Sequence, residues 1–214
     1  MPSARYLAQQ TEIFMTELPE VNPAERNDAA MAFLLTRRSR PAKTLKAPAP
    51  DEAALREILT AAARTPDHGK LEPWRFITIT REAAQRLGAE AEARAKAEGL
   101  PDEKIAKAGK QFHDSQLCVA VVSSPKQSEK VPQVEQLYSA GAVCLSLLNA
   151  ALAAGWGANW LTGWAAHDEA FGREMLGLKD GESVAGFIHL GTEGVTPPER
   201  PRPDLDAITT RISE

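Results

Sequence analysis

The chain has 214 residues and a mass of 23.1 kDa, with 43% hydrophobic and 25% charged residues, enough for one globular domain to bury a core without staples. Its 25 Lys and Arg against 29 Asp and Glu leave a net charge of −4, which excludes a general nucleic-acid binder. The two cysteines, Cys118 and Cys144, lie in apolar runs without metal-type spacing, which excludes a secreted disulfide scaffold and points to a reducing cytoplasm.

The first twenty residues carry Glu12, Glu17 and Glu20 and lack the apolar stretch of a signal peptide. Residues 3–17 read as a peripheral helix closed by Pro19 and Pro23. A second helix is expected from about Ala24 to Arg38, with Met31, Leu34 and Leu35 on one face and Pro41 stopping it. Asp51 is a plausible N-cap for a third, whose Leu55, Ile58, Leu59 and Ala62 repeat at helical spacing up to Pro66. After a polar loop, Trp74 to Thr80 has the aromatic and β-branched content of a strand. Residues 82–98 and 101–112 read as Ala/Glu/Lys helices in a solvated excursion. Leu117 to Val122 is a continuous apolar run, as in a strand buried on both faces.

A long apolar helix is expected from about Pro132 to Ala154. Its most apolar stretch barely reaches bilayer length and contains Ser139, Ser146 and Asn149, so a buried or subunit-interface helix is the better reading and no membrane is expected. Trp156 to Thr162 and Val184 to Leu190 are further strands, with a short helix near 168–176 between them. The proline-rich tail from Thr196 to Pro203 should be extended. Helices outnumber strands without strict alternation, which favours an α+β fold.

The chain has no G-x-S-x-G elbow, no Walker A loop and no complete G-x-G-x-x-G fingerprint. The four histidines, 68, 113, 167 and 189, show no i, i+4 metal pairing, so no metal site is expected, though a hydrolase around Asp67 and His68 stands as an alternative. His189, inside an apolar strand, reads as a hydrogen-bonded sheet residue. Four stretches concentrate polar donors or glycines. Arg37-Arg38-Ser39-Arg40 closes a helix, as basic residues do at a carboxyl end, or else marks an anion site. Arg64, His68 and Lys70 fall in the loop before Pro73-Trp74. Gly155 to Gly163 runs from the long helix into a strand. Arg200 and Arg202 alternate with prolines in the tail.

In that order the four stretches resemble the FMN-dependent nitroreductase family, over about residues 27–212. The closest look is to its short-chain bacterial NAD(P)H nitroreductase branch, which carries Arg-x-Pro-Asp-His before the Pro-Trp. The resemblance implies an α+β sandwich with a mostly antiparallel or mixed sheet flanked by helices. It also implies a homodimer whose C-terminal arm crosses to the partner, with FMN at the subunit interface. Residues 1–26 would be an N-terminal extension and 27–214 the flavin-binding domain. Carried over by position, Arg37, Arg38 and Ser39, Arg64 and His68, the strand Trp160, Leu161, Thr162 and Gly163, and Arg200 and Arg202 would contact FMN. The segment Ala150 to Gly155 matches a stretch assigned to NAD(P) in close relatives. Lys70 and Glu72 stand where many members carry Asn and Gln, which places Lys70 near the flavin or paired with Glu72.

The implied activity is transfer of hydride from NAD(P)H through flavin N5 to a nitroaromatic, quinone or similar acceptor by a ping-pong mechanism. No catalytic side chain is expected, since the cofactor carries the chemistry. The alternatives are a flavin binder without turnover, or a dehalogenase or enoate reductase on the same fold.

Overall fold

The computed structural model describes residues 21 and 24–213. The expected helix over 3–17 lies outside the described residues. Contacts divide the chain between Thr36 and Arg37, and the two units are taken separately. In the first, among the described residues, the helix α1 (Asp28–Thr36) is started by the Asn27 side chain, whose Oδ1 accepts from the Ala30 amide at 3.0 Å. It is shorter than the 24–38 helix expected.

The second unit is a five-stranded sheet between two layers of helices. Its elements are β1 (Leu45–Lys46), α2 (Glu52–Ala62), β2 (Trp74–Ile79), α3 (Arg81–Ala97), α4 (Asp102–His113), β3 (Leu117–Ser123), α5 (Gln133–Ala153), β4 (Gly157–Leu161), α6 (Glu169–Leu176), β5 (Ser183–Glu193) and the one-turn α7 (Leu205–Ile208). All pairings are antiparallel, in the order β4-β5-β3-β2, with β1 on the carboxyl end of β5. The register slips by one residue at Val121/Val122, where Ala185 of β5 has no partner.

Strand alternation sorts the core. Leu117, Val119 and Val121 of β3 and Ile188 and Leu190 of β5 turn to one face, covered by α2 and α5 through Ile58, Val143, Leu147 and Ala151. Cys118 and Ala120 with Phe187 turn to the other, covered by α3, α4 and α6. There Phe112 meets Phe187 edge-on at 5.2 Å and stacks near Phe171 at 5.9 Å. The 81–113 segment is therefore no solvated excursion. Its buried face joins Leu87 and Phe112 to Ala84, Ala91, Ala95 and Ala108 with Gly88 and Gly109, residues small enough for α3 and α4 to approach closely. Arg81 Nη1 caps the carboxyl end of α4 by donating to the carbonyls of His113 and Ser115 at 2.5 and 2.6 Å.

Helix α5 is long and apolar enough to cross a membrane by length and composition alone. One face, including Ser139, Val143, Cys144 and Leu148, is buried against the sheet and α2. The other leaves Val134, Leu137, Tyr138 and Leu145 exposed.

Candidate functional site

The Arg-Arg-Ser triplet does not end a helix, a correction to the sequence reading. α1 stops at Thr36, and Arg37 to Arg40 are irregular, tied at Arg40 to the outer edge of β4. The Arg40 amide donates to the Ala158 carbonyl at 2.8 Å, and Asn159 Nδ2 donates to the Arg40 carbonyl at 2.7 Å. Strand alternation turns the main-chain groups of Trp160 to the same edge as those of Ala158, where β4 has no further strand to pair with among the described residues. Trp160 packs its indole over Gly186 of β5, where any side chain would collide with it. Beyond β4, Thr162 and Gly163 are exposed, and Gly163 has φ +70, a conformation that favours glycine.

Around this edge gather four guanidinium groups. Arg37 Nη2 donates to Ser39 Oγ at 3.0 Å. Arg40 Nε lies 2.9 Å from Glu193 Oε1. Arg38 Nε donates to the Pro198 carbonyl at 3.3 Å and sits 4.0 Å from Glu199 Oε1, which also accepts from Arg202 Nη2 at 2.7 Å. The Arg37 guanidinium is held below its ordinary pKa, first by partial burial and then by repulsion from Arg202, Arg38 and Arg40. Two carboxylates, Glu193 and Glu199, face these four cations, so the cluster keeps a surplus of positive charge in a protein of net charge −4. Arg37, Arg38, Ser39 and Arg202 are thus brought together. The Arg200 side chain has no polar partner among the described residues, although its amide donates to Glu199 Oε1 at 2.8 Å.

The loop from Arg64 to Pro73 forms a second constellation. Asp67 organises it, its carboxylate accepting from the amides of Leu71 at 2.7 Å and Glu72 at 3.2 Å. The path is strained, with Lys70 at φ 54 and Glu72 at φ 46, left-handed values that cost a residue with a side chain on the order of 1 kcal/mol each. His68 Nδ1 lies 2.8 Å from Glu135 Oε2 at the start of α5. Trp74 Nε1 donates to Ser139 Oγ at 3.1 Å, and that hydroxyl donates to the Pro66 carbonyl at 3.0 Å, which pins both ends of the loop to α5. Arg64 and Lys70 are exposed and in no ion pair among the described residues, so Lys70 is not paired with Glu72.

Within one chain these constellations do not converge. The first borders β4 and the second precedes β2, at opposite edges of the run β4-β5-β3-β2, about 14 Å apart at ~4.8 Å per strand. Sequence reasoning put Arg40 in the candidate anion stretch but not among the flavin contacts, and missed the roles of Asn159, Glu135, Glu193 and Glu199, which only folding joins to the site.

The remaining reactive groups are inert. Cys118 and Cys144 are buried free thiols, both shifted upward by desolvation, Cys144 to about 12. His189 is fully buried, its Nδ1 2.9 Å from Ser115 Oγ, and burial lowers its pKa to about 4. It is the hydrogen-bonded sheet residue the sequence suggested. Among the described residues no three His, Cys, Asp or Glu side chains gather in a metal-ligating group.

Comparison with known proteins bears on all of this. Residues 34–192 match the model of the nitroreductase family. Over 163 residues the chain is 37% identical to an Escherichia coli K12 protein named “Putative NAD(P)H nitroreductase YdjA”, covering 76% of this chain and 87% of that protein. The fold matches that of a nitroreductase-like family protein from Bacillus cereus with a TM-score of 0.72 at 21% identity, over 89% of this chain and 99% of that one. It also matches a “putative nitroreductase in complex with FMN” from Desulfovibrio desulfuricans with a TM-score of 0.68 at 20% identity, over 88% and 99% of the two chains. The α+β sandwich and the matched span together show that the chain belongs to the nitroreductase family of oxidoreductases.

Proposed function

We propose that the protein is an FMN-dependent oxidoreductase that draws hydride from NAD(P)H and reduces a nitroaromatic, quinone or similar small acceptor by a ping-pong mechanism. The observation that carries this reading is the guanidinium cluster of Arg37, Arg38, Arg40 and Arg202 beside the open edge of β4. That donor set fits FMN. A phosphate monoester carries ~1.5 to 2 negative charges at neutral pH, and the cluster has uncompensated cations to meet it. Arg37 Nε is buried without an acceptor among the described residues, so the segment also holds an unmet donor. Arg37, Arg38, Ser39 and Arg202 hold the phosphate, with Arg200 at the margin. The main chain of Trp160, Leu161, Thr162 and Gly163 borders the ring, and Arg64, His68 and Lys70 supply the polar contacts from the second loop. When bound, the flavin supplies hydride and electron transfer at N5, and the protein's part is to bind, orient and exclude water. The burial of both thiols agrees with a mechanism that uses no protein nucleophile.

The reading includes a homodimer. The exposed face of α5 and the tail residues Leu205, Ile208 and Ile212 are apolar surface that a second copy would cover, the C-terminal arm crossing to the partner. The two donor constellations lie at opposite sheet edges, which supports a site completed by the 64–72 loop of the other subunit. Obligate interfaces of this kind bury upwards of ~2,000 Å². The free cysteines agree with a cytoplasmic setting.

Purified protein is expected to be yellow and dimeric by light scattering. NADH or NADPH should bleach it under anaerobic conditions, with parallel double-reciprocal lines against a quinone. Failure to bind FMN refutes the reading, and bound flavin that neither nucleotide bleaches leaves a passive binder. Intersecting lines refute the ping-pong mechanism. Turnover confined to halogenated or α,β-unsaturated acceptors would favour the dehalogenase or enoate reductase.

A further inference from the structure

Next to the strained loop lies an open cleft of about 550 Å³ that no part of the proposed flavin site uses. Its size is within the few hundred to ~1,000 Å³ of small-molecule sites. The segment from Pro125 to Glu129 forms its wall, with Val131, Gln133 and Gln136 completing it. The wall is fixed from below by Gln136, which is buried. Gln136 Oε1 accepts from the Lys126 amide at 2.8 Å, and Nε2 donates to the Lys126 carbonyl at 2.9 Å. Ser128 Oγ adds a second clamp by accepting from the amides of Lys130 and Val131 at 3.2 and 3.0 Å. A polar concavity held by such a set of hydrogen bonds is preorganised, so little ordering is needed on binding.

Its chemistry favours an anion. Lys126, in the wall, and Lys130, just outside it, are exposed, and neither meets a carboxylate among the described residues; Lys126 Nζ donates to Ser124 Oγ at 3.5 Å. The amides of Gln127, Ser128 and Glu129 likewise donate to no acceptor among the described residues. Glu129 is the one carboxylate in the lining. The cleft also shares its back wall with the loop of His68 and Lys70. Val131 Cγ2 lies 3.6 Å from where a side chain at Gly69 would begin, the Ser124 amide donates to the Pro73 carbonyl at 2.8 Å, and Glu135 meets His68.

We infer that this cleft is the docking site for the phosphate-bearing adenylate half of the nicotinamide dinucleotide, with Lys126 of its wall as the main anion ligand and Lys130, outside the lining but between its residues Glu129 and Val131, as a flanking cation. The inference rests on the reading of the protein as an NAD(P)H-dependent flavin enzyme. It adds where the part of the co-substrate remote from the hydride is held, at the amino end of α5 and away from the Ala150–Gly155 stretch at its carboxyl end that the family resemblance links to NAD(P). Two sources of phosphate fit the same lysines: the 2′-phosphate of NADPH, or the pyrophosphate that both nucleotides carry.

The test uses FMN-loaded dimeric protein and two probes that cannot transfer hydride, adenosine 2′,5′-bisphosphate and ADP, titrated calorimetrically. The wild type is expected to bind the bisphosphate, and Lys126→Ala/Lys130→Ala to bind it about tenfold or more weakly, the low end for two exposed charge-assisted contacts. In steady state the same variant should raise the nucleotide KM by a similar factor while kcat and FMN affinity stay unchanged, the signature of lost uniform binding. Lys104→Ala, an exposed lysine on α4, serves as the charge control and should change nothing. A bisphosphate preferred over ADP assigns the lysines to the 2′-phosphate, and equal binding assigns them to the pyrophosphate. Absence of probe binding by the wild type, or equal binding by the double variant, overturns the inference while leaving the flavin reading intact. Protein that takes up no FMN refutes the reading itself, and the same titration on that protein still decides whether the cleft binds nucleotide phosphate.

Discussion

Replacing Arg37, Arg202 or Glu199 one at a time separates the members of the guanidinium cluster by size and by sign. A charge-assisted hydrogen bond to phosphate is worth about 1.5–3 kcal/mol, or about 10- to 150-fold in affinity. Arg37 is partly buried and shares no carboxylate, so its contact belongs at the upper end. Arg202 has a half-exposed side chain already occupied by Glu199 at 2.7 Å, which puts it at the lower end. Arg37→Ala should therefore weaken FMN about 100-fold and Arg202→Ala about 10-fold, with Arg200→Ala close to neutral. Glu199→Gln has the opposite sign. It removes the carboxylate that faces both Arg38 and Arg202, so FMN should bind more tightly, and the gain should shrink in 0.5 M salt. Riboflavin, which lacks the phosphate, is the control for every variant. The assay is quenching of flavin fluorescence on titration with apoprotein. Equal losses of FMN and riboflavin affinity in Arg37→Ala, or weaker FMN binding in Glu199→Gln, would refute the assignment of this cluster to the phosphate.

Three other outcomes follow from single contacts. Burial lowers the pKa of His189 to about 4 against 6.5 unfolded, so the unfolded chain takes up a proton first and stability present above pH 6.5 is lost as pH falls toward 4. The loss is about 2 kcal/mol between pH 7 and pH 5, to be read by urea unfolding, and it should flatten in His189→Gln, while the His189 ring itself should not titrate above pH 5 by NMR. Arg75→Ala should cost about 3 kcal/mol in the same assay at pH 7, because it strands the Glu182 carboxylate, whose side chain is 5% exposed and accepts from Arg75 Nε and Nη2 at 2.9 and 2.7 Å. Lys70→Asn should leave the apoprotein slightly more stable in thermal melts, since Asn tolerates the φ of 54 better than Lys. In the holoprotein it should lower the flavin midpoint potential, by removing a cation that favours the reduced, anionic ring.

The readable parts of the fold were those where one residue type dominates a stretch. The unbroken apolar run from Leu117 to Val122 reads as a strand buried on both faces, and the strand is there, one residue longer, to Ser123. Asp51 starts α2 as expected, its Oδ1 accepting from the Ala54 amide at 2.9 Å. The helices α3 and α4 misled because hydropathy measures the apolar surface of a side chain and is silent on how near a neighbour can come. Gly88 lies directly beneath the His113 ring, and Gly109 beneath Glu92, so the pair packs closely, with alanines and glycines around the few large groups, Leu87 and Phe112. The two residues of β1 carry too short a pattern to register in any window.

At the candidate site the difference between what was readable and what was not is one of dimension. Arginines grouped within four positions, or alternating with prolines, announce positive charge along the chain. Where that charge is spent depends on partners far away in sequence: Asn159 reaches Arg40 across 119 positions, and Arg38 reaches Pro198 across 160. Those contacts arise only once β4 has paired with β5 and so offers its other edge to the 37–40 segment. The same logic explains why the triplet looked like a helix end. Basic residues after a helical run suit the negative end of the helix dipole, but the Ala158 carbonyl and the Asn159 side-chain amide offer the Arg40 backbone two hydrogen bonds outside a helix. Tertiary pairing overrides the local preference and turns a capping sequence into one wall of an anion site.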